Sequence, residues 1–360
     1  MAERRVTYRE ATDLQNTQML REVLATLPSF VKDYFRAVDA RTTAKTKLSY
    51  AYDLRVFFEF LKAMNPLYKD RELRNITLED LERLTARDLE EYMEYLKLYD
   101  APAERTGSEG RITNSVVGQK RKMSALRSFY KYLYKQQMIK SDPTQLVDMP
   151  KVREKAIIRL DRDEVQALLT YVENCGASLS GKALEAYKNT RERDLALITL
   201  LLGTGIRVSE CVGLDVEDLD FRNNRFRVVR KGGNEAMVYF GDEVREVLLK
   251  YLTVREGITP LAGHEHALFY STQRRRMTVR AVENLVTKYA SAVTTAKHIT
   301  PHKLRSTYGT ALYQETGDIY LVADVLGHKD VNTTRKHYAA MNEERRQSAA
   351  NAVRLRKAEK

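Results

Sequence analysis

Residues 300 to 338 read TPHKLRSTYGTALYQETGDIYLVADVLGHKDVNTTRKHY, and the order of turns and charges in this stretch decides how the rest of the chain is read. Thr300 followed by Pro301 marks a helix start: a side-chain cap, then a residue whose φ is already helical. Leu304, Tyr308 and Leu312 recur at four-residue steps and predict a core-facing stripe, whereas His302 and Arg305, three residues apart, share another face. Asp318 to Leu326 predicts a short helix closed by Gly327 at its C-terminal cap, which fixes His328 just beyond it. Asn332 to Ala339 predicts a further helix carrying His337 and Tyr338.

Composition bounds what such a stretch can belong to. The 360 residues exceed one compact domain, and 43% hydrophobic content suffices for sizeable cores. With 61 Lys and Arg against 49 Asp and Glu, the formal charge is +12, so a polyanion is the first partner to consider. Nucleic acid fits better than membrane: no segment offers the ~18 consecutive apolar residues of a span, and MAERRVTYRE lacks the apolar core of a signal peptide. A cytoplasmic, nucleoid-associated protein is expected. Two cysteines, Cys175 and Cys211, are too few for a disulfide framework or a cysteine zinc site. Glycine-rich phosphate loops are absent, so nucleotide hydrolysis has no support.

The N-terminal half reads as helices. Leu20, Val23, Leu24 and Leu27 suggest one short helix, and Phe30 and Tyr34, beyond Pro28, a second. Thr46 to Met64 carries a stronger stripe of Leu48, Tyr52, Val56 and Phe60, widened by Phe57 and Leu61. Thr77 with Asp80 caps another start, and Leu89, Tyr92, Met93 and Leu96 continue the pattern. A polar stretch from Asp100 to Gly110 separates this part from a helix over about Thr113 to Gln137. There Leu126, Tyr130, Leu133 and Tyr134 should face a core. Lys120, Ser124, Arg127, Lys131 and Lys135 form a basic ridge about 20 Å long. Like charges this close repel unless something negative lies along them, so Lys120, Arg127, Lys131 and Lys135 are candidate DNA-binding residues.

Pro143, Pro150, Lys151, Arg153 and Lys155 mark a basic interdomain linker. The second domain starts near Arg159, with Val165, Leu168, Leu169 and Val172 as the stripe of its first helix. Arg191 to Leu202 is apolar nearly all round and should be a buried central helix. Gly203-Thr204-Gly205 breaks it, and Arg207 then sits at a new helix start with Glu210 one turn on. Phe226 and Val228 alternate with charges into Arg230-Lys231-Gly232-Gly233-Asn234, a hairpin turn answered by a strand over Met237 to Phe240. Leu268 to Tyr270 is a candidate third strand, and Val244 to Leu252 and Val279 to Tyr289 are helices. The whole is mainly α: a helical domain over residues 1–145, a linker over 146–158, a mixed, mostly helical domain with a small antiparallel sheet over 159–340, and a tail over 341–360.

Singly, each of these residues has an ordinary place on a protein surface. As an ordered set they are specific: GTGIRVSE, RKGG in a hairpin, TPHKLR, LGH, and a tyrosine ten residues after that histidine. In this the chain resembles the tyrosine site-specific recombinases of the integrase and Xer-type family, and its single-subunit Gram-positive Xer branch most. The likeness extends over nearly the whole chain and includes SALRSFYKYL in the N-terminal half. It implies a core-binding domain joined to a DNA breaking-rejoining catalytic domain as a clamp on double-stranded DNA. By the resemblance, Arg207 and Arg305 are the paired catalytic arginines, Lys231 the hairpin lysine, His302 and His328 the two histidines and Tyr338 the nucleophile, with Glu210 supporting Arg207. It implies no cofactor or metal, a homo-tetramer on two DNA sites with the C-terminal segment exchanged between protomers, and an accessory protein in some systems. The outcome would be chromosome dimer resolution, or integration and excision of a mobile element. Ser306 stands where many relatives have a further histidine, and the spacing from His328 to Tyr338 is one residue longer than in many Xer proteins.

Elementary chemistry agrees. Breaking a phosphodiester without metal requires a nucleophile, neutralisation of a pentacoordinate phosphorane and protonation of the alkoxide. Paired arginines suit the non-bridging oxygens. His302 can take the phenolic proton of Tyr338, whose ordinary pKa is ~10, Lys231 can protonate the leaving 5′-oxygen, and His328 can hydrogen-bond the phosphate. Two rivals differ in outcome: a type IB topoisomerase relaxing DNA as a monomer, and a non-catalytic DNA-binding accessory protein, which should lack some of the six residues present here.

Overall fold

A computed structural model of the chain describes residues 6–101, 110–152, 157–230, 233–328 and 331. The chain divides into two compact units, Met1–Glu154 and Lys155–Lys360. It is mainly α-helical with two small antiparallel sheets. No helix among the described residues is long and apolar enough to cross a membrane.

The first unit runs α1 (Tyr8–Ala25), α2 (Ser29–Ala37), α3 (Ala44–Met64), α4 (Leu78–Glu82), α5 (Ala86–Tyr95), β1 (Leu98–Ala101), β2 (Gly110–Thr113) and α6 (Val116–Lys135). Threonine caps with an acidic N3 residue open α1, α4 and α5, each satisfying otherwise orphaned N–H groups. Leu48, Val56, Phe57, Phe60 and Leu61 of α3 are buried as their spacing predicts. The core is aromatic: Phe30 stacks on Phe129 at 6.2 Å, and Tyr34 meets Phe129 edge-on at 5.4 Å. Each such pair adds about 0.5–1.5 kcal/mol beyond area burial.

Three local expectations change in this unit. The polar stretch after Asp100 is flanked by paired strands, with Leu98 opposite Thr113 and Ala101 opposite Gly110. Its Pro/Gly/Ser composition marks the turn region of a hairpin, which hides the short strands on either side. Tyr134 is 53% exposed, because its helical position lies at the edge of the stripe formed by Leu126, Tyr130 and Leu133. The basic ridge is not uniform either. Lys120, Lys131 and Lys135 are exposed, but the Arg127 guanidinium donates to the carbonyls of Thr144 (3.1 Å) and Val147. Arg127 thus ties the segment after α6 to its own unit. Val147 is buried there and Met149 packs on the same core.

The second unit runs α7 (Arg162–Asn174), α8 (Gly181–Thr204), α9 (Val208–Gly213), β3 (Leu219–Asp220), β4 (Arg225–Val229), β5 (Glu235–Tyr239), α10 (Asp242–Glu256), α11 (Val279–Val293), α12 (Pro301–Thr316) and α13 (Ile319–Leu326). The central apolar helix exists but starts a decade earlier than its apolar run, because the polar residues from Gly181 onward form its solvent-facing first turns. Leu195, Ala196, Leu197, Ile198, Leu200 and Leu201 are all buried. Asp194, charged yet buried, is held by Arg193 and by the Tyr289 hydroxyl at 2.9 Å. The third strand of the sheet is β3, not Leu268 to Tyr270. That segment forms an isolated bridge, Tyr270 to Arg276, and Leu268 N–H donates to Leu214 O at 2.9 Å, but it does not join the sheet. In β4, Phe226 and Val228 face inward and Arg225 and Arg227 outward, the two-residue period of a half-buried strand.

Cysteine chemistry gives a direct check on this packing. Cys211 is fully buried on α9, and burial, reinforced by the Glu210 carboxylate, pushes its thiol up to about 12. Thiolate is the reactive species, so Cys211 should resist alkylation at pH 8. Iodoacetamide is expected to label the native protein at the half-buried Cys175 only. Labelling of Cys211 should require denaturant; peptide mass mapping that finds it modified in native protein would contradict this packing.

Candidate active site

The site is organised by the end of α13. The last carbonyls of any helix lack intrahelical partners, and the aligned peptide dipoles make that end negative. Gly327 closes α13 in the left-handed region, at φ 61°, and its N–H donates to Asp324 O at 2.8 Å. The next N–H, of His328, donates back to Ala323 O at 2.9 Å. Guanidinium groups from three other elements cover the carbonyls of residues 324–327, that of Asp324 being shared with the Gly327 N–H. Arg230 donates to Asp324 O at 3.2 Å and Val325 O at 3.0 Å, Arg305 to Leu326 O, and Arg207 to Gly327 O at 3.0 Å. Cations that would repel one another in isolation are gathered because the helix end is their shared acceptor.

Each arginine is delivered by local sequence. α8 ends at Gly205, at φ 60°, where a Cβ would come within 2.4 Å of Tyr308 Cδ1 and 3.0 Å of Leu326 Cδ2. Only glycine fits, and its carbonyl accepts from Arg305 Nη1 at 2.5 Å. Arg207 follows as the N-cap of α9: its backbone N–H donates to Glu210 Oε2 at 2.9 Å and its Nη1 to Oε1 at 2.8 Å. The Glu210 side chain, only 6% exposed, therefore fixes both the backbone and the side chain of Arg207, which stays 31% exposed. Arg305 is buried on α12, whose Leu304 is also buried while Tyr308 and Leu312 pack with Tyr313, Val322 and Leu326 between α12 and α13.

Of the residues picked out by motif, Arg207, Glu210, Arg305 and His328 converge on the end of α13. His302 lies exposed in the first turn of α12, one turn before Arg305, and His328 is half-buried. Lys231 and Tyr338 lie outside the described residues, as do the helix expected over Asn332 to Ala339 and the tail over 341–360. Arg230 was passed over by sequence reasoning, which read it only as part of a turn. The one available signal was its place beside Lys231 at the end of a strand. Among the described residues, no group of three or more His, Cys, Asp or Glu side chains is arranged to hold a metal ion.

Comparison with known proteins places this arrangement. The sequence profile of the phage integrase family matches residues 158–345, which include every residue of the site. The chain belongs to the phage integrase family. Among curated relatives of this integrase-family chain, the tyrosine recombinase XerS of Lactococcus lactis is 30% identical over 94% of this chain and 98% of its own length. XerS of Streptococcus pyogenes is 32% identical over 91% of this chain and 96% of its own. Solved structures share the fold. XerH bound to a palindromic difH substrate, a post-cleavage complex, superposes with a TM-score of 0.60 at 20% identity, over 85% of this chain and 79% of that one. A λ integrase fragment, a dimer bound to a core site, gives 0.59 at 16% identity, over 86% of this chain and 94% of that one.

Proposed function

We propose that this chain is a site-specific DNA recombinase that cleaves and rejoins strands of double-stranded DNA through a 3′-phosphotyrosine at Tyr338. The observation that carries the reading is the placement of Arg207 and Arg305 on consecutive carbonyls, Gly327 O and Leu326 O, directly before His328. Two rigidly held guanidinium groups on neighbouring carbonyls, with His328 the next residue in the chain, supply donors suited to a doubly charged phosphorane. In the reaction His302 takes the phenolic proton, the Tyr338 oxygen bonds to phosphorus, and the P–O5′ bond breaks. Lys231 supplies the proton to the departing 5′-oxygen. Reversal with a different strand's 5′-hydroxyl rejoins DNA without ATP, because the phosphotyrosine keeps the ester energy. XerS relatives named as tyrosine recombinases, and XerH and λ integrase structures holding DNA, support this reading.

Lys120, Lys131 and Lys135 on α6 are the candidate phosphate-tracking contacts of the first unit. The working assembly in this reading is a homo-tetramer on two DNA sites, assisted in the cell by an accessory protein, acting on cytoplasmic nucleoid DNA to resolve chromosome dimers or move an element.

The test is capture followed by exchange. Purified protein is incubated with fragmented host genomic DNA, quenched in detergent, and the covalently bound ends are sequenced. One recurrent sequence is expected, and two copies of it on one plasmid should recombine. Relaxation of any supercoiled plasmid regardless of sequence would instead identify a topoisomerase, and binding without covalent capture an accessory protein.

A further inference from the structure

Arg274 occupies a backbone position that suits glycine. Its N–H donates to Ser271 O at 2.9 Å and the Ser271 N–H donates to Arg275 O at 2.7 Å, the hydrogen-bond pattern of a three-residue hairpin loop over Thr272, Gln273 and Arg274. In such a loop the last residue is left-handed, and Arg274 has φ 59°. Its carbonyl is taken as well, by the Leu261 N–H at 2.9 Å, so the backbone is fixed on both sides whatever side chain it carries. There the Cβ of an L-residue crowds the carbonyl oxygen that follows, a cost that glycine avoids. The reason for an arginine therefore lies in what its side chain does.

The neighbouring arginines show what that is. Arg276, 12% exposed, is spent on the fold: it donates to Val212 O at 2.9 Å and Leu214 O at 2.8 Å and pairs with Asp215. Arg193 holds the same loop from α8 through Tyr270 O at 2.9 Å. Arg274 and Arg275 are exposed, and among the described residues neither guanidinium has an ion-pair partner. From His266 to Val282 the chain carries no acidic residue, so nothing local offsets them. Two adjacent cations on a rigid, strained loop repel each other until an anion lies against them. Arg276 fixes this loop beside the C-terminal end of α9, whose N-cap is Arg207. The six residues of α9 span about 9 Å, a few phosphate steps along a strand at about 3.4 Å of axis each. We propose that Arg274 and Arg275 form a contact of the second unit with the phosphate backbone of duplex DNA, away from the reacting phosphate and independent of base sequence. The inference rests on the DNA-binding part of the recombinase reading and deepens it.

Strain and charge pull the test in opposite directions, which makes it discriminating. Affinity of the full-length protein is measured across a salt series on two labelled duplexes, one of arbitrary sequence and one carrying the captured sequence. Arg274→Gly removes the charge and relieves the backbone. It is expected to lower affinity about 5- to 10-fold at about 0.1 M salt on both duplexes, and to make log K against log salt shallower by about 0.9, the share of one phosphate. Adding Arg275→Ala should double the change in slope. The melting temperature of Arg274→Gly should hold or rise by up to about 4 °C, so weaker binding is not a folding defect. Arg274→Lys, which keeps both charge and strain, should bind within about 2-fold of wild type. Wild-type affinity and slope in the double variant would overturn the proposal. So would a loss confined to the captured sequence, which is base reading, or a melting temperature lowered by Arg274→Gly, which is a structural role. Wild-type protein without salt-dependent affinity for either duplex would reject the DNA-binding reading itself, and the two failures are thereby told apart.

Discussion

Tyr338→Phe is expected to form no detergent-stable adduct with its DNA site, a fall of at least about 10⁴-fold in cleavage, because the proposed mechanism draws the attacking oxygen from Tyr338 alone. The substitution removes one oxygen and keeps the ring, so affinity for the uncleaved duplex should stay within about 3-fold of wild type, most binding energy residing in phosphate contacts elsewhere. Denaturing electrophoresis of a labelled nicked duplex measures the first quantity and a mobility shift the second. The chain has 21 tyrosines, so the identity of the nucleophile needs this discrimination. Near the site, burial raises the Tyr308 phenol above its ordinary value, which disfavours the phenolate, and Tyr313 is only 6% exposed between α12 and α13. Tyr320 is 70% exposed but lies at the opposite end of α13 from the arginines. An adduct that survives Tyr338→Phe, with the modified peptide mapped elsewhere, would remove Tyr338 from the mechanism.

Arg305→Ala should be nearly as damaging, and by two routes. The first is chemical: in the proposed mechanism Arg305 is a fixed cation at the phosphorane, and losing it is expected to slow cleavage by about 10³-fold or more. The second is structural, since Arg305 is 6% exposed and bridges Gly205 O to Leu326 O, joining the end of α8 to the end of α13. Removing it leaves two buried carbonyls without these donors, an expected loss of about 2–4 kcal/mol in folding stability. Denaturant titration of the purified variant reports the stability term. Single-turnover cleavage under conditions where the variant is fully folded reports the chemical one. Arg305→Lys keeps the charge but offers one ammonium where two carbonyls lie in different directions, so its rate should fall by about 10²-fold. A lysine variant with wild-type rate and stability would show that neither the bridge nor the fork matters.

Much of the second unit was legible because its signals are local. The cap at Thr300 and Pro301, the stop at Gly327, the apolar run around Ile198 and the alternation at Phe226 and Val228 each follow from backbone sterics or a side-chain period. The pairing of Arg207 with Glu210 was legible for the same reason, the two being one helical turn apart. Errors fell where a residue sits at the boundary between two environments. Tyr134 has the spacing of a core residue and the position of a rim residue, and short strands beside a polar turn carry too few side chains to establish a period. For Arg127 the spacing did not foretell a structural contact that the fold adds, its guanidinium holding carbonyls 17 and 20 residues further on.

By itself, the sequence determined the fold class, the order of helices and hairpin, and the residue types brought to the chemistry, since these depend on periodicity, capping and spacing within a few residues. Only the tertiary structure decided that Arg207, Arg230 and Arg305 meet on one helix end and that Arg230 belongs with the other two. The physical reason is that their shared acceptors are backbone carbonyls, of Asp324, Val325, Leu326 and Gly327. A carbonyl is the same group in every residue, so a site built on a helix terminus leaves no side-chain signature at its acceptor. It exists only once α13 has formed, ended at a glycine, and packed where three arginines can reach it.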